Sequence, residues 1–165
     1  VSEHKLNRKT QAVFALIITS DTRDREHDET GQSAVELIEA EGHKVATRII
    51  VPNDSETIRA EIEKQLNDSA VQVVITSGGT GISSKDRTVD TATGLFEREL
   101  PGFGELFRRF SYDEVNANVI ISRSVAGVAK GKVIFCLPGS KNAVRVALSK
   151  IILPSLGHML WELNR

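Results

Sequence analysis

The sequence predicts an α/β fold with three layers, α/β/α, around a mainly parallel sheet. Three observations carry this expectation. Apolar runs at residues 12–20, 71–76 and 133–137 are nearly continuous, as strands buried on both faces require. Segments of helical spacing lie between such runs, so strand and helix alternate along the chain. The runs empty into small polar, glycine or proline residues, and in a sheet of this kind those loops share one rim.

Element by element, the first strand covers residues 12–20, AVFALIITS, and a charged loop follows at 21–29. A helix is expected around 32–41, with Ala34, Leu37, Ile38 and Glu41 on one stripe and Gly42 closing it. Residues 45–51 read as a second strand, less apolar and hence nearer an edge. Pro52-Asn53-Asp54-Ser55 breaks the chain and starts a helix in which Ile58, Ile62 and Leu66 recur at every fourth position. The third strand, 71–76, feeds a glycine loop. Helices are expected at 90–100 and 104–114, separated by Pro101-Gly102, while 119–130 fits neither pattern. A fourth strand at 133–137 ends in Pro138-Gly139-Ser140. The helix beyond it carries Val144, Ala147, Leu148, Ile151 and Ile152 in register, Pro154 ends it, and a short terminal helix runs to Arg165.

Bulk properties narrow the functional classes. At 165 residues one domain is expected over 1–165, with a core that needs neither disulfides nor structural metal, and 1–11 is expected to be a flexible N-terminal segment. A net charge of −1 argues against a general attraction to nucleic acid or membrane. The single cysteine, Cys136, lies in an apolar run; it reads as a core residue rather than a nucleophile, and its solitude fits a reducing cytosol. No stretch is expected to span a membrane, 1–10 is too polar for a signal peptide, and a cytoplasmic location follows. The four histidines show no metal-ligand spacing, and Arg108-Arg109 reads as a solvated helix face.

The richest stretch is VQVVITSGGTGISSKDRTVDTA at 71–92. Thr76-Ser77 ends a strand, Gly78-Gly79-Thr80-Gly81 follows, and Asp86 stands among Lys85, Arg87 and Thr88. Glycines at a strand's carboxyl end offer bare backbone N–H groups, which suit an anion such as phosphate. A tight strand-to-helix turn is the plainer reading, but three glycines in four residues exceed what a turn needs. The loop matches neither the nucleotide P-loop nor G-x-G-x-x-G. For Asp86 two readings stand side by side: a helix cap or a pair with Lys85, and a carboxylate that places Mg²⁺ on nucleotide phosphates. Other rim candidates are Ser20-Asp21-Thr22 and Leu137-Pro138-Gly139-Ser140-Lys141, where a cation at a helix start is unfavourable unless an anion binds. Asn53 with Glu56 looks like a capping box, and Asp54 suits the first helical turn.

Together these residues resemble the molybdenum cofactor biosynthesis proteins of the MoaB/MogA family, and its MoaB branch most closely. The resemblance rests on Ser77-Gly78-Gly79-Thr80-Gly81, Lys85-Asp86-Arg87-Thr88 and Asp90-Thr91-Ala92, with Asp28-Glu29-Thr30-Gly31-Gln32 upstream. Downstream, residues 98–105 (RELPGFGE), 121–127 (ISRSVAG) and 137–140 (LPGS) extend it, so it covers about 12–158 in order. It implies a molybdopterin-binding α/β domain that forms homotrimers or homohexamers and works with other molybdenum cofactor biosynthesis proteins. In active members, AMP passes from ATP to the terminal phosphate of molybdopterin with Mg²⁺, and pyrophosphate is released.

Carried over by position, the resemblance makes Asp86 the essential carboxylate and Mg²⁺ ligand. The backbone of Gly78, Gly79, Thr80 and Gly81 becomes the binding loop and Ser20, Asp21, Pro138, Gly139 and Ser140 its flanking walls, with Thr76, Ser77, Lys85 and Lys141 as further binding candidates. One departure stands out: the family's Val-Pro-Asp-Asp/Glu is here Val51-Pro52-Asn53-Asp54, so either Asp54 takes over as second catalytic acid or that role is dispensable. Two alternatives to the transferase accompany it: a protein that binds or delivers molybdopterin without chemistry, and a nucleotide-pyrophosphate hydrolase.

Overall fold

A computed structural model describes residues 10–165. The expected flexible segment at 1–11 therefore lies outside the described residues except for Thr10 and Gln11, the latter donating from Nε2 to Gly42 O at 3.0 Å. In chain order the elements are β1 (Val13–Thr19), α1 (Glu29–Ala40), β2 (Lys44–Val51), α2 (Ser55–Asn67), β3 (Val73–Ser77), α3 (Thr88–Thr93), β4 (Arg98–Glu99), α4 (Pro101–Val115), a 3₁₀ turn (Asn116–Ile121), β5 (Val125–Ala129), β6 (Lys132–Leu137), α5 (Lys141–Ala147), a π turn (Leu148–Ile152) and α6 (Leu153–Leu163).

The strands form one sheet in the order β2-β1-β3-β6-β5-β4. β2, β1, β3 and β6 run parallel, and β5 and β4 are antiparallel additions at one edge. Alternation along each strand divides the core into two layers. Phe14, Leu16, Val73, Ile75, Val133, Phe135 and Leu137 meet α1, α4, α5 and α6 on one face. Ala15, Ile17, Val74, Ile134 and Cys136 meet α2 and the shorter α3 on the other. The three-layer, mostly parallel α/β/α architecture is as expected. Cys136 is 0% exposed, and burial pushes its thiol up to about 12, so it is a core residue.

Several element assignments differ from the sequence reading, each for a physical reason. α1 begins earlier than expected, at Glu29, because Asp28 caps it: its Oδ1 accepts from Gly31 N at 2.9 Å. Glu41 is not on a buried stripe but exposed just past the helix end. The helix expected over 90–100 is only α3, after which the chain turns and pairs as β4 with β5, a non-local contact that periodicity does not report. Pro101-Gly102 does not separate elements; Pro101 opens α4, where its missing N–H costs nothing. The undecided 119–130 divides into the 3₁₀ turn and β5, and β5 folds back on β6 through Lys130-Gly131, both at positive φ.

Pro154 does not end the C-terminal helix either. The π turn precedes it and α6 continues, so residues 141–163 form one helical rod. By length and composition alone that rod is apolar enough to cross a membrane, contrary to the expectation that no stretch is, and 44% of its most apolar window is buried inside the molecule. Arg108 is not simply solvated: its Nη1 donates to Ser124 O at 3.1 Å.

Candidate functional site

The strand order reverses between β1 and β3. From β1 the chain moves outward to β2, crosses back through α2, and continues on the other side from β3. Open α/β sheets bind ligands at such a switch point, at the carboxyl ends of the strands. The loops after β1, β3 and β6 meet there. Ser77 Oγ donates to Pro138 O at 3.0 Å, and Gly78 N donates to Leu137 O at 2.9 Å, docking the glycine loop on the end of β6. Thr19 Oγ1 donates to Ser77 O at 3.2 Å and receives a bond from Thr88 Oγ1 at 3.3 Å, so a hydroxyl pair underlies the loop.

That packing explains the glycines. Gly78 has φ +106°, and a Cβ there would sit 2.5 Å from Thr19 O. Gly79 has φ +69°, and a Cβ there would sit 2.3 Å from Thr88 Oγ1. Gly78's own N–H is taken by Leu137, which corrects the expectation that it faces a ligand. Among the described residues no bond within the protein occupies the N–H groups of Gly79, Thr80 and Gly81.

Asp86 folds back toward this loop. Its Oδ2 accepts from Ser83 N at 2.9 Å, and a Cβ on Gly81 would meet that oxygen at 2.8 Å. The caps-a-helix reading of Asp86 is not what the structure shows; Arg87 stands at the start of α3 without a side-chain cap. Nor is there an ion pair between Asp86 and Lys85 among the described residues. Asp86, Arg87, Asp90, Arg123, Ser55 and Ile82 to Ser84 line an open depression of about 560 Å³.

The neighbouring loop after β2 arranges its acids differently. Asp54, not Asn53, caps α2: its Oδ2 accepts from Thr57 N at 2.9 Å and Thr57 Oγ1 at 2.8 Å. The Thr57 backbone N–H, then its hydroxyl and the charge of Arg87, hold the Asp54 carboxyl below its usual range. Asn53 turns to Asp21 on the loop after β1, donating from N at 2.9 Å and from Nδ2 at 3.3 Å. Those two bonds, with the more distant charge of Lys85, lower the Asp21 carboxyl. Ser20 Oγ accepts from Arg23 N at 3.0 Å, and Ser140 Oγ caps α5 by accepting from Ala143 N at 3.2 Å. Gly139 O receives Thr30 Oγ1 at 3.1 Å and Arg23 Nη1 at 3.2 Å. Lys141 is exposed at the start of α5. Thr76 is buried beside Cys136, below the rim rather than on it.

Sequence reasoning gave no role to several residues the geometry brings in. Thr19 and Thr88 support the glycine loop from below, and Thr30 and Arg23 hold the Pro138 loop. Arg123 reaches the loop from the segment before β5, donating from Nε to Gly81 O at 2.7 Å. Asp28, buried beneath α1, lies 3.6 Å from Arg48 Nε. Of these, Asp28, Thr30, Thr88 and Arg123 lie in the matched segments, whereas Thr19, Arg23 and Arg48 carried no signal in the sequence.

The chain is similar to known proteins over nearly its whole length. The family described as a probable molybdopterin binding domain matches residues 15–158. Molybdenum cofactor biosynthesis protein B of Bacillus cereus is 41% identical over 166 residues, covering 100% of this chain and 98% of that protein. A crystal structure of a molybdenum cofactor biosynthesis protein B superposes with a TM-score of 0.92 at 41% identity, covering 94% of this chain and 98% of that one. The tungsten cofactor synthesizing protein MoaB from Pyrococcus furiosus gives 0.85 at 33% identity, covering 94% and 99%. The chain belongs to the MoaB/MogA family of molybdenum cofactor biosynthesis proteins, with the probable molybdopterin binding domain as its fold.

Proposed function

We propose that this chain adenylylates molybdopterin. The terminal phosphate of the pterin attacks the α-phosphorus of ATP, the α–β phosphoanhydride bond breaks, and pyrophosphate leaves. The observation that carries the reading is Asp86 standing beside the uncommitted N–H groups of Gly79, Thr80 and Gly81, at the switch point of the sheet. The pterin as the anion's bearer is supported by the names of the relatives.

The donor set fits Mg²⁺. That ion takes one or two carboxylates together with substrate phosphates, rather than a cage of protein ligands. Among the described residues there is no group of three or more His, Cys, Asp or Glu that could hold a metal, while Asp86 Oδ1 has no hydrogen-bond partner. Asp86 would hold Mg²⁺ with the nucleotide phosphates, and the ion would draw charge from the triphosphate. Asp54 also keeps its Oδ1 open, but Thr57 fastens its Oδ2 twice as the cap of α2, which ties that acid to the helix rather than to the glycine loop.

The chain's own residues do the rest. The 79–81 N–H groups bind and orient a phosphate, which is where phosphoryl-type catalysis obtains most of its rate. No general base is needed, because a phosphate monoester is already anionic near pH 7. Lys85, Arg87 and Lys141 stand at the rim, where a cation stabilises charge that builds on the leaving pyrophosphate. Ser20, Asp21, Pro138 and Gly139 form the flanking walls. Incubating the protein with molybdopterin, ATP and Mg²⁺ tests the reading: wild type should release pyrophosphate and form adenylylated pterin, and Asp86→Ala should not.

One observation favours a second reading, a protein that binds molybdopterin without chemistry. Asn53 uses its amide to hold Asp21 where the family's acid would stand, so that position supplies no charge of its own. A binder would retain the pterin and release no pyrophosphate. The family resemblance also suggests a cytosolic homotrimer or homohexamer. The 3₁₀ turn has no buried residue and exposes Ile120 and Ile121 beside Tyr112 and Val115, an apolar surface that a second copy would cover. Light scattering that returned a monomer at micromolar concentration would refute the assembly.

A further inference from the structure

We infer that Arg123 is a positioning residue whose guanidinium clamps the 80–86 loop and so sets where the Asp86 carboxylate stands. The contacts are specific. Nε donates to Gly81 O at 2.7 Å and Nη2 to Asp86 O at 3.3 Å, so one side chain grips both ends of the loop. Nη1 and Nη2 bind Asp90 Oδ1 and Oδ2 at 2.9 and 3.0 Å, a two-pronged pair that fixes the plane of the guanidinium. The Arg123 backbone N–H adds a bond to Thr80 O at 2.8 Å.

The rest of the loop explains why a clamp is needed. Residues 82–85 are exposed, and the other hydrogen bonds of 81–86 are internal: Asp86 N to Ser83 O, Ser83 N to Asp86 Oδ2, and Lys85 N to Ser83 Oγ. Among the described residues, every hydrogen bond that ties 81–86 to another part of the protein comes from Arg123. Without it, the internal turn could move as a unit and carry the carboxylate with it. Neutralising an anionic substrate directly is the competing role. Asp90 answers that charge with both its oxygens, which leaves Arg123 geometric work rather than a free positive charge.

A lysine would keep the charge and lose the planar fork, so Arg123→Lys separates the two roles. The effect on turnover rests on the adenylylation reading; the effect on the loop does not. Amide hydrogen exchange of the full chain without ligand reads the loop, and turnover with molybdopterin, ATP and Mg²⁺ reads the chemistry. In Arg123→Lys, exchange at Ser83, Asp86 and Thr88 should rise roughly tenfold or more while the β1, β3 and β6 amides stay as in wild type. Its kcat should fall about 10- to 100-fold with KM within about threefold. Asp90→Asn, which leaves the arginine in place, should shift both readouts the same way but less. Unchanged exchange in both variants overturns the clamp whatever happens to turnover, and so does Arg123→Lys turning over like wild type in an enzyme that Asp86→Ala silences. Raised exchange in a wild type that proves to make no adenylylated pterin upholds the clamp and discards the adenylylation reading alone. If Arg123→Lys does not fold, Asp90→Asn decides: wild-type exchange at the three amides overturns the clamp, and raised exchange upholds it.

Discussion

The loops after β2 and β3 each bring an aspartate to the same rim, and the two acids are held in different ways. Asp54 is fastened from its own helix: Thr57 supplies an N–H and a hydroxyl to one oxygen, which is what an N-cap does. Asp86 is held by one turn N–H at Oδ2, in a loop anchored from a distant segment. The difference teaches that an acid's position in a motif says little about its availability. What matters is how many of its lone pairs the fold has already claimed, and by that measure Asp86 is the more available acid and Asp54 the one committed to a helix cap.

The comparison can be broken most sharply by exchanging the two acids' fates. Asp86→Ala is expected to reduce adenylylated-pterin formation by about 100-fold or more while leaving Tm within a few degrees. Asp54→Ala should do the converse, lowering Tm by a few degrees with turnover within about threefold. A deeper loss of turnover in Asp54→Ala than in Asp86→Ala would invert the assignment. Next in size is Gly79→Ala, which must place a Cβ against Thr88 Oγ1 at positive φ and should cost about 2–4 kcal/mol, read by urea denaturation. A neutral result would mean the loop has an easier conformation than the one described.

Asn53→Asp sharpens the β2 side. It replaces the 3.3 Å amide bond to Asp21 with two facing carboxylates, so Tm at pH 7 should drop and recover as millimolar Mg²⁺ is added or the pH is lowered toward 4. The smallest effect is one of pH. Asp54 has a folded-state pKa below its unfolded value near 4, so its stabilisation is complete above about pH 4 and disappears as the pH falls through the folded value. The Tm gap between wild type and Asp54→Asn should therefore be constant from pH 7 to about 5 and close as the pH falls below about 4. A gap that widened on acidification would contradict the capping account.

Much of this was legible in the sequence because it is local. The buried parallel strands announce themselves as apolar runs, and the glycines at 78 and 79 are where the backbone needs positive φ. The rest depends on contacts between distant segments. Arg98-Glu99 forms a strand because β5 lies beside it, and Arg123 reaches Gly81 O across 42 residues of sequence. Asp54 takes the cap expected of Asn53, because Asn53 bonds instead to Asp21, 32 residues upstream. Pro154 does not stop the helix because a π turn before it absorbs the break that a proline normally makes.

Cys136 sits on β6, opposite Thr76 of β3, one residue before the strand end that receives the Gly78 N–H. With its thiol at about 12 and no exposure, it reacts with alkylating reagents only when the sheet opens at that point. Because it is the single cysteine, its labelling rate is an unmodified stopwatch for the floor of the site. A ligand that binds only the closed rim should slow that stopwatch by a factor that rises with ligand concentration over its Kd, and would report its own affinity without any assay of turnover.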